Sequence, residues 1–325
     1  MKAIVVQQEV EGRPLLWQDV PDPAFGPDEV LINIHAAALN RADLAQRAGN
    51  YPPPPGASDI LGLEMAGTIT ALGAEVSGWQ VGDRVCALLP GGGYAEKVNV
   101  PAQLLLPLPE DWSFEQGAAL PEVFLTAYVN LFMEADLQAG ETVLIHGGAS
   151  GVGTAAIQLA HQAGCRVFTT AGTDDKVAYC RQLGADLAIN YREEDFVERI
   201  LAEADGVDVI LDMVGANYLE SNIRLLKLRG RLVFIATMGG GRAEIDIWRL
   251  MGRRLRLIGS VLRARPVAEK IEIKERFMAQ FWKKFLDGTL SPIIDSVYPV
   301  AQAEQAHAHM QQNQNIGKII LKIRD

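Results

Sequence analysis

The sequence predicts an α/β protein in which a doubly wound parallel sheet follows an irregular β-barrel. Three observations predict it. From about residue 122 short apolar runs alternate with amphipathic ones, the pattern of strands and helices taking turns. One stretch, "TVLIHGGASGVGTAAIQLA" from Thr142, passes from strand to glycine turn to helix. Before residue 120 many short β-rich runs are split by glycine and proline. A chain of 325 residues implies about two domains. With 49% hydrophobic residues it can bury a large core without disulfides or a structural metal.

The first part reads as strands: "MKAIVV", "EVLINIHAAAL", "MAGTITALG", "DRVCALL" and "YAEKVNV", separated by "GPDE", "YPPPPGAS", "VGDRV" and "LPGGGYAE". Such alternation suits a barrel better than a helical bundle. Pro121 suits the first turn of a helix over "PEVFLTAYVNLFMEAD". Strands then follow at "TVLIHG", "RVFTTA", "DLAIN", "VDVILDM", "RLVFIA" and "LRLIGSVL", with helices between most of them. These strands are nearly all apolar, as a parallel sheet covered on both faces requires. Beyond Arg265 come an amphipathic helix (roughly Val267 to Leu286), the strand "IIDSVYPV", a polar helix and a last strand, "GKIILKI". This tail is expected to return to the first domain, giving segments 1–121, 122–262 and 263–325.

A formal net charge of −10 disfavours nucleic acid and anionic membranes as general partners. The basic clusters "RLMGRRLRLIG" and "VLRARP" read as solvated helix and loop ends, or as a local anion site. Cys86, Cys165 and Cys180 form no close pair, which fits a reducing, cytoplasmic setting. Cys86 and Cys165 read as buried small hydrophobes. The N-terminal apolar run is too short for a signal peptide, and no run reaches transmembrane length.

In the glycine turn, Gly148, Ser150 and Gly153 occupy the three positions of a dinucleotide fingerprint, with serine in the middle. A second frame, Gly151, Gly153 and Ala156, fits a looser form. Free amides at the helix start, around Gly151 and Val152, would receive a pyrophosphate. An acid about 20 residues beyond the turn would accept from the ribose 2′-hydroxyl of NAD. Here the second strand ends instead in Gly172 and Thr173, leaving room for a 2′-phosphate. Lys176 and Tyr191 would supply a cation and a hydroxyl, so NADPH is the expected cofactor. Asp174 and Asp175 oppose this mildly, unless they serve as helix N-terminal acids.

Together with that turn stand "NRADLAQRAGNYPPPPG", "LGLEMAG", "VGDRV", "LPGGGYAE" and "NIGKIIL", in this order. On these motifs the chain resembles the zinc-independent quinone oxidoreductases of the medium-chain dehydrogenase/reductase superfamily, the zeta-crystallin relatives. Its "YPPPPGAS" and "LLPGGG" are similar to those of the tumour-suppressor-inducible branch. The resemblance covers essentially the whole chain. It implies a GroES-like catalytic domain built from both chain ends, a Rossmann domain between, NADPH in the interdomain cleft, and a homodimer. It places Asn40 and Tyr51 by the nicotinamide ribose and the reacting groups, and makes Tyr51, Asn40 and Ser150 the catalytic candidates. It assigns Ser150, Gly172, Lys176 and Tyr191 to the phosphates, Gly239 and Gly240 to a loop near the nicotinamide, and Asn315 and Lys318 to a C-terminal return to the cofactor. Plainer roles exist: Asn40 as a helix cap, Tyr51 stacked on prolines, and the glycines at 91–93 as a turn.

Zinc alcohol dehydrogenases of that superfamily carry Gly-His-Glu where this chain has Gly62, Leu63 and Glu64. Leucine cannot ligate a metal, and "ALNRADL" offers no cysteine, so no metal site is expected. The five histidines are dispersed, and His307 and His309 are expected to face solvent. Without a Lewis acid, alcohol oxidation is disfavoured, whereas an electron-poor acceptor still takes hydride. The expectation is an NADPH-dependent quinone reductase. One alternative is a double-bond reductase of alkenals, enones or enoyl thioesters, with Arg263 and Arg265 as a basic rim. Another is a non-catalytic NADPH-binding redox sensor.

Overall fold

A computed structural model describes residues 1–324. They form two compact units: Met1–Val123 together with the chain from Arg263 onward, and Phe124–Leu262. In chain order the first unit holds β1 (Lys2–Val6), β2 (Leu15–Asp19), β3 (Glu29–Ala38), α1 (Arg41–Arg47), β4 (Glu64–Leu72), β5 (Arg84–Leu88), β6 (Lys97–Pro101), β7 (Leu106–Pro107) and α2 (Phe114–Ala118). The boundary falls in α3 (Pro121–Tyr128), which continues as a π-helical stretch over Val129–Glu134. The second unit then alternates β8 (Thr142–Ile145), α4 (Gly151–Gln162), β9 (Arg166–Ala171), α5 (Asp174–Gln182), β10 (Leu187–Asn190), α6 (Phe196–Glu203), β11 (Val207–Asp212), α7 (Leu219–Leu225), β12 (Leu226–Phe234), α8 (Ile247–Arg253) and β13 (Arg256–Gly259). The first unit resumes with α9 (Val267–Leu286), β14 (Ile294–Pro299), α10 (Ala303–Gln311) and β15 (Lys318–Lys322).

β3 organises the first unit. Its buried residues alternate, Val30, Ile32 and Ile34, before a fully buried Ala36–Ala38 end. It pairs antiparallel with β4, β6 and β15. The seven-stranded sheet runs β14-β15-β3-β4-β5-β7, with β6 on β3, so strands from both chain ends share one sheet. Val30, Ile32, Ile34, Met65, Val85 and Val100 fill one core beneath it. Leu39, Leu61, Tyr94, Ala306, Met310 and Leu321 fill a second, where α10 packs.

The second unit is a six-stranded sheet, β10-β9-β8-β11-β12-β13, parallel throughout. β8 is buried along its whole length, as its apolar run requires. The chain reverses direction of winding between β8 and β11, so the end of β8 lies at the topological switch where open α/β sheets hold ligands.

One expectation fails in the fold. His307 is fully buried rather than solvated. Residues two apart on a helix point in nearly opposite directions, so burying one face of α10 takes His307 inward and leaves His309 outward. His309 is half-buried and lies 3.6 Å from Asp295. All three cysteines are free and buried.

Candidate functional site

The glycine turn takes its shape from three different demands. Gly147 has φ +64°, the left-handed conformation that favours glycine. A Cβ on Gly148 would lie 2.1 Å from Thr169 Oγ1, so the turn presses against β9. A Cβ on Gly153 would lie 2.3 Å from the Gly147 carbonyl oxygen, so α4 begins hard against the turn. Ser150 needs no glycine: at φ −71° and ψ 167° it is the N-cap of α4. Its hydroxyl accepts from the Gly153 amide (3.0 Å) and donates to Met213 Sδ (3.7 Å). With Gly153 capped, the Gly151 and Val152 amides have no acceptor within the helix, and the positive end of a twelve-residue helix stands behind them. The cradle therefore fits a pyrophosphate. Gly147, absent from the expected set, belongs to it; the doubled glycine was the available signal.

Beyond β9 the chain turns at Gly172, and Thr173 caps α5 by accepting from the Lys176 amide. A Cβ on Gly172 would lie 2.9 Å from Tyr191 Oη, so the strand end and the tyrosine adjoin. Tyr191 is 41% exposed, which leaves its hydroxyl reachable. Asp174 is engaged by the Asn190 amide (2.9 Å) at the α5 start. Gly172, Thr173 and Tyr191 thus adjoin at the end of β9, with Lys176 in the first turn of α5; β9 itself ends without a carboxylate, and Asp174 and Asp175 open the helix. Gly239 and Gly240 form a separate turn after β12. The Gly239 amide donates to the Val214 carbonyl (2.7 Å), and Gly240 has φ +117°.

Beneath the turn lies a buried polar chain that the sequence did not disclose. His146 Nδ1 lies 3.0 Å from Thr170 Oγ1, and its Nε2 lies 2.8 Å from Asn222 Oδ1. The Asn222 amide donates to Asp212 (3.0 Å), which also accepts from the Val214 and Gly215 amides. Burial raises the Asp212 carboxyl and lowers the His146 imidazole, each partly offset by the other. Their effect is to fix the backbone at the ends of β8 and β11.

In the first unit Asn40 caps α1, but its side chain faces a buried ion pair. Its amide nitrogen donates to Glu64 Oε1 (2.9 Å), and its oxygen accepts from Lys318 Nζ (2.7 Å). Lys318 and Glu64 are 2.7 Å apart at 3% and 0% side-chain exposure. The other Glu64 oxygen accepts from the Glu122 amide (2.8 Å). Lys318, which the resemblance assigned to the cofactor, is here the buried counter-ion of Glu64 and also donates to the Leu39 carbonyl (2.6 Å). Asn315 bonds the Gly317 carbonyl (2.8 Å). Asp43, in the same helix, accepts from the Asn40 and Gly62 amides and from the Tyr94 hydroxyl. Burial pushes its carboxyl up to about 6. Glu122 is half-buried, and burial together with the nearby Glu64 charge pushes it up to about 8.

Tyr51 sits half-buried in the proline loop, and no group among the described residues bonds its hydroxyl. Burial and the Glu122 charge raise that hydroxyl, against an opposing pull from Arg263. Arg263, expected on a basic rim, is only 4% exposed, and Arg265 pairs with Glu269 (2.6 Å). Leu63 is a core side chain, 1% exposed. Among the described residues, no group of three or more His, Cys, Asp or Glu gathers so as to hold a metal ion.

The chain matches two families of known proteins. Residues 26–110 match the alcohol dehydrogenase GroES-like domain family, and residues 151–279 match the zinc-binding dehydrogenase family. A quinone oxidoreductase of Rattus norvegicus is 34% identical over 94% of this chain and 92% of its own. The quinone oxidoreductase of Thermus thermophilus, solved also with NADPH, superposes with TM-score 0.84 at 35% identity, covering 99% of this chain and all of its own. The CurK enoyl reductase superposes with TM-score 0.86 at 29% identity, covering 99% of this chain and 98% of its own.

Proposed function

Because this chain belongs to the medium-chain dehydrogenase/reductase superfamily, with quinone oxidoreductases among its relatives, we propose that it reduces quinones with NADPH and without zinc. One observation carries the choice of coenzyme: a glycine cradle at the end of β8, followed at the end of β9 by Gly172 and the Tyr191 hydroxyl rather than by an acid. The Gly151 and Val152 amides receive the pyrophosphate, with Gly148, Ser150 and Gly153 shaping the cradle. Gly172, Thr173, Lys176 and Tyr191 receive the 2′-phosphate. The resemblance assigns Gly239, Gly240 and Asn315 to the nicotinamide side. When bound, reduced nicotinamide supplies the hydride.

The chain's own residues do the rest. The Tyr51 hydroxyl donates to the acceptor oxygen as negative charge builds there. Asn40 is held in one pose by Glu64 and Lys318. In the same unit, burial and the Glu64 charge push the Glu122 carboxyl up to about 8. Leu63 gives a metal nothing to bind, so the acceptor must already be electron-poor.

An enoyl or alkenal reductase is the second reading, favoured by the likeness to CurK. A carrier-bound substrate would want a basic rim, yet Arg263 is buried and Arg265 is paired. A non-catalytic NADPH-binding redox sensor fits less well, because such a protein would be expected to lose Tyr51, and Tyr51 is present. We take the working form to be a cytoplasmic homodimer; no helix among the described residues is long and apolar enough to cross a membrane. NADPH consumption across quinones, alkenals and enoyl thioesters, with and without a chelator, tests the whole reading. Quinone turnover indifferent to chelator is expected. Turnover of enoyl thioesters alone, or activity lost to the chelator, overturns it.

A further inference from the structure

We propose that Arg263 is the residue that positions Tyr51, holding its ring and backbone so that the free hydroxyl has one direction. The proposal rests on the role given to Tyr51 above. Arg263 is a buried cation whose guanidinium hydrogen bonds reach no carboxylate; Asp43 and Glu122 act on it through space, without direct contact. Its Nε donates to the Pro90 carbonyl (2.8 Å), Nη2 to Gln46 Oε1 (2.7 Å), and Nη1 toward the Tyr51 carbonyl (3.4 Å). All three acceptors are uncharged. A buried guanidinium with no carboxylate in direct contact is costly, so a hydrophobic residue would serve stability better if packing were its only task.

The geometry supplies the task. One planar fork reaches three separate segments: α1 through Gln46, the proline loop through Tyr51, and the glycine loop at 91–93 through Pro90. The guanidinium also lies over the Tyr51 ring, 5.2 Å from its centre, an attraction to the ring face. Arg263 is itself anchored, because Lys270 Nζ donates to its carbonyl (2.7 Å) at a buried site. Tyr51 otherwise stands in a loop without helix or strand, next to four prolines. Lysine cannot replace this arginine: an ammonium on a flexible stem has neither the fork nor the stacking plane.

The test reads position and catalysis separately. In protein carrying 3-fluorotyrosine at its seven tyrosines, the fluorine resonance missing from Tyr51→Phe identifies Tyr51. Arg263→Lys is expected to shift that resonance and leave the other six in place. It is also expected to lower kcat/KM for quinones about tenfold or more through kcat, as small misplacements do. In a Tyr51→Phe background the further loss should fall below about twofold, since coupled residues do not add. An unmoved Tyr51 resonance, or losses that add, overturns the proposal. Should Arg263→Lys not fold, Gln46→Ala removes one of the three anchors and is expected to move the same resonance; an unmoved one overturns the proposal equally. A shifted resonance in a protein inert toward every quinone keeps the positioning role and removes the quinone reading instead.

Discussion

A single missing Cβ decides much at Gly172. Its absence leaves the Tyr191 hydroxyl beside the strand end, and position 172 itself carries no carboxylate. Gly172→Asp would insert both bulk and charge, so NADPH affinity is expected to fall at least about tenfold while NADH affinity holds or rises. Lys176→Ala should weaken NADPH by a similar factor, about tenfold, and spare NADH, because a partly solvated phosphate contact contributes on the order of 1 kcal/mol or more. Fluorescence titration with both coenzymes checks each variant; equal dissociation constants in the parent protein would remove the premise. These positions could be named as candidates because a fingerprint fixes spacing along the chain. Gly147 escaped because a doubled glycine offers two frames, and only the φ of +64° separates them. Arg263 escaped for another reason: sequence shows charge but not burial, so an arginine after a strand reads as solvated.

At the scale of elements, α10 shows how a buried histidine couples packing to acidity. His307 lies 3.4 Å from the Tyr94 hydroxyl, and its Nδ1 is buried without a hydrogen-bond partner among the described residues. Burial, reinforced by the Arg47 charge, pushes its imidazole down to about 3. An unfolded chain would protonate it near pH 6.5. The unfolded state therefore binds more protons below that pH, and this contribution to stability is present above pH 6.5 and lost as pH falls toward 3. The slope is at most about 1.4 kcal/mol per pH unit. Asp43 acts oppositely: raised to about 6, its carboxyl contributes stability that is present at low pH and lost as pH rises from about 4 to 6. His307→Leu should strip out one limb and leave the other. Relative to the parent, the variant is expected to gain stability steadily as pH drops from 6.5 to 4, as urea melts at each pH would show. A constant difference across that range would mean that His307 does not titrate on unfolding. The elements themselves were largely readable, since β8 to β12 contain continuous apolar runs and the helices between them sit between glycine and polar breaks. β2 and α8 were not, because five residues of "LLWQD" and seven of "IWRLMGR" are too short for periodicity to show.

For the whole molecule the unanswered question is what covers the β13 side of the parallel sheet. β13 ends the strand order, so one of its edges has no partner strand among the described residues, and all four of its residues are at least partly exposed. Open edges of this kind attract other strands unless they are blunted. Beside it in sequence α8 carries Ile247, Trp248 and Met251, at 60%, 81% and 62% exposure. A tryptophan four-fifths exposed between two other large apolar residues is unusual for a surface that meets only water. The occupant we assign is a second copy of the same chain, because a strand edge is self-complementary under a twofold axis and needs no foreign sequence. The opposing cost is charge: Arg249, Arg253, Arg254 and Arg256 crowd this stretch, and salt screens their repulsion across the axis. Trp248→Lys should then convert a dimer to monomers at micromolar concentration. The melting temperature of the isolated chain should barely change, because the side chain contributes little to its own unit's core. Sedimentation velocity on both proteins, run at two salt concentrations, decides the matter, with the parent dimer expected to hold at least as well in the higher salt. A parent that sediments as a monomer of 35.3 kDa, or a variant that remains dimeric, would place the contact elsewhere or abolish it.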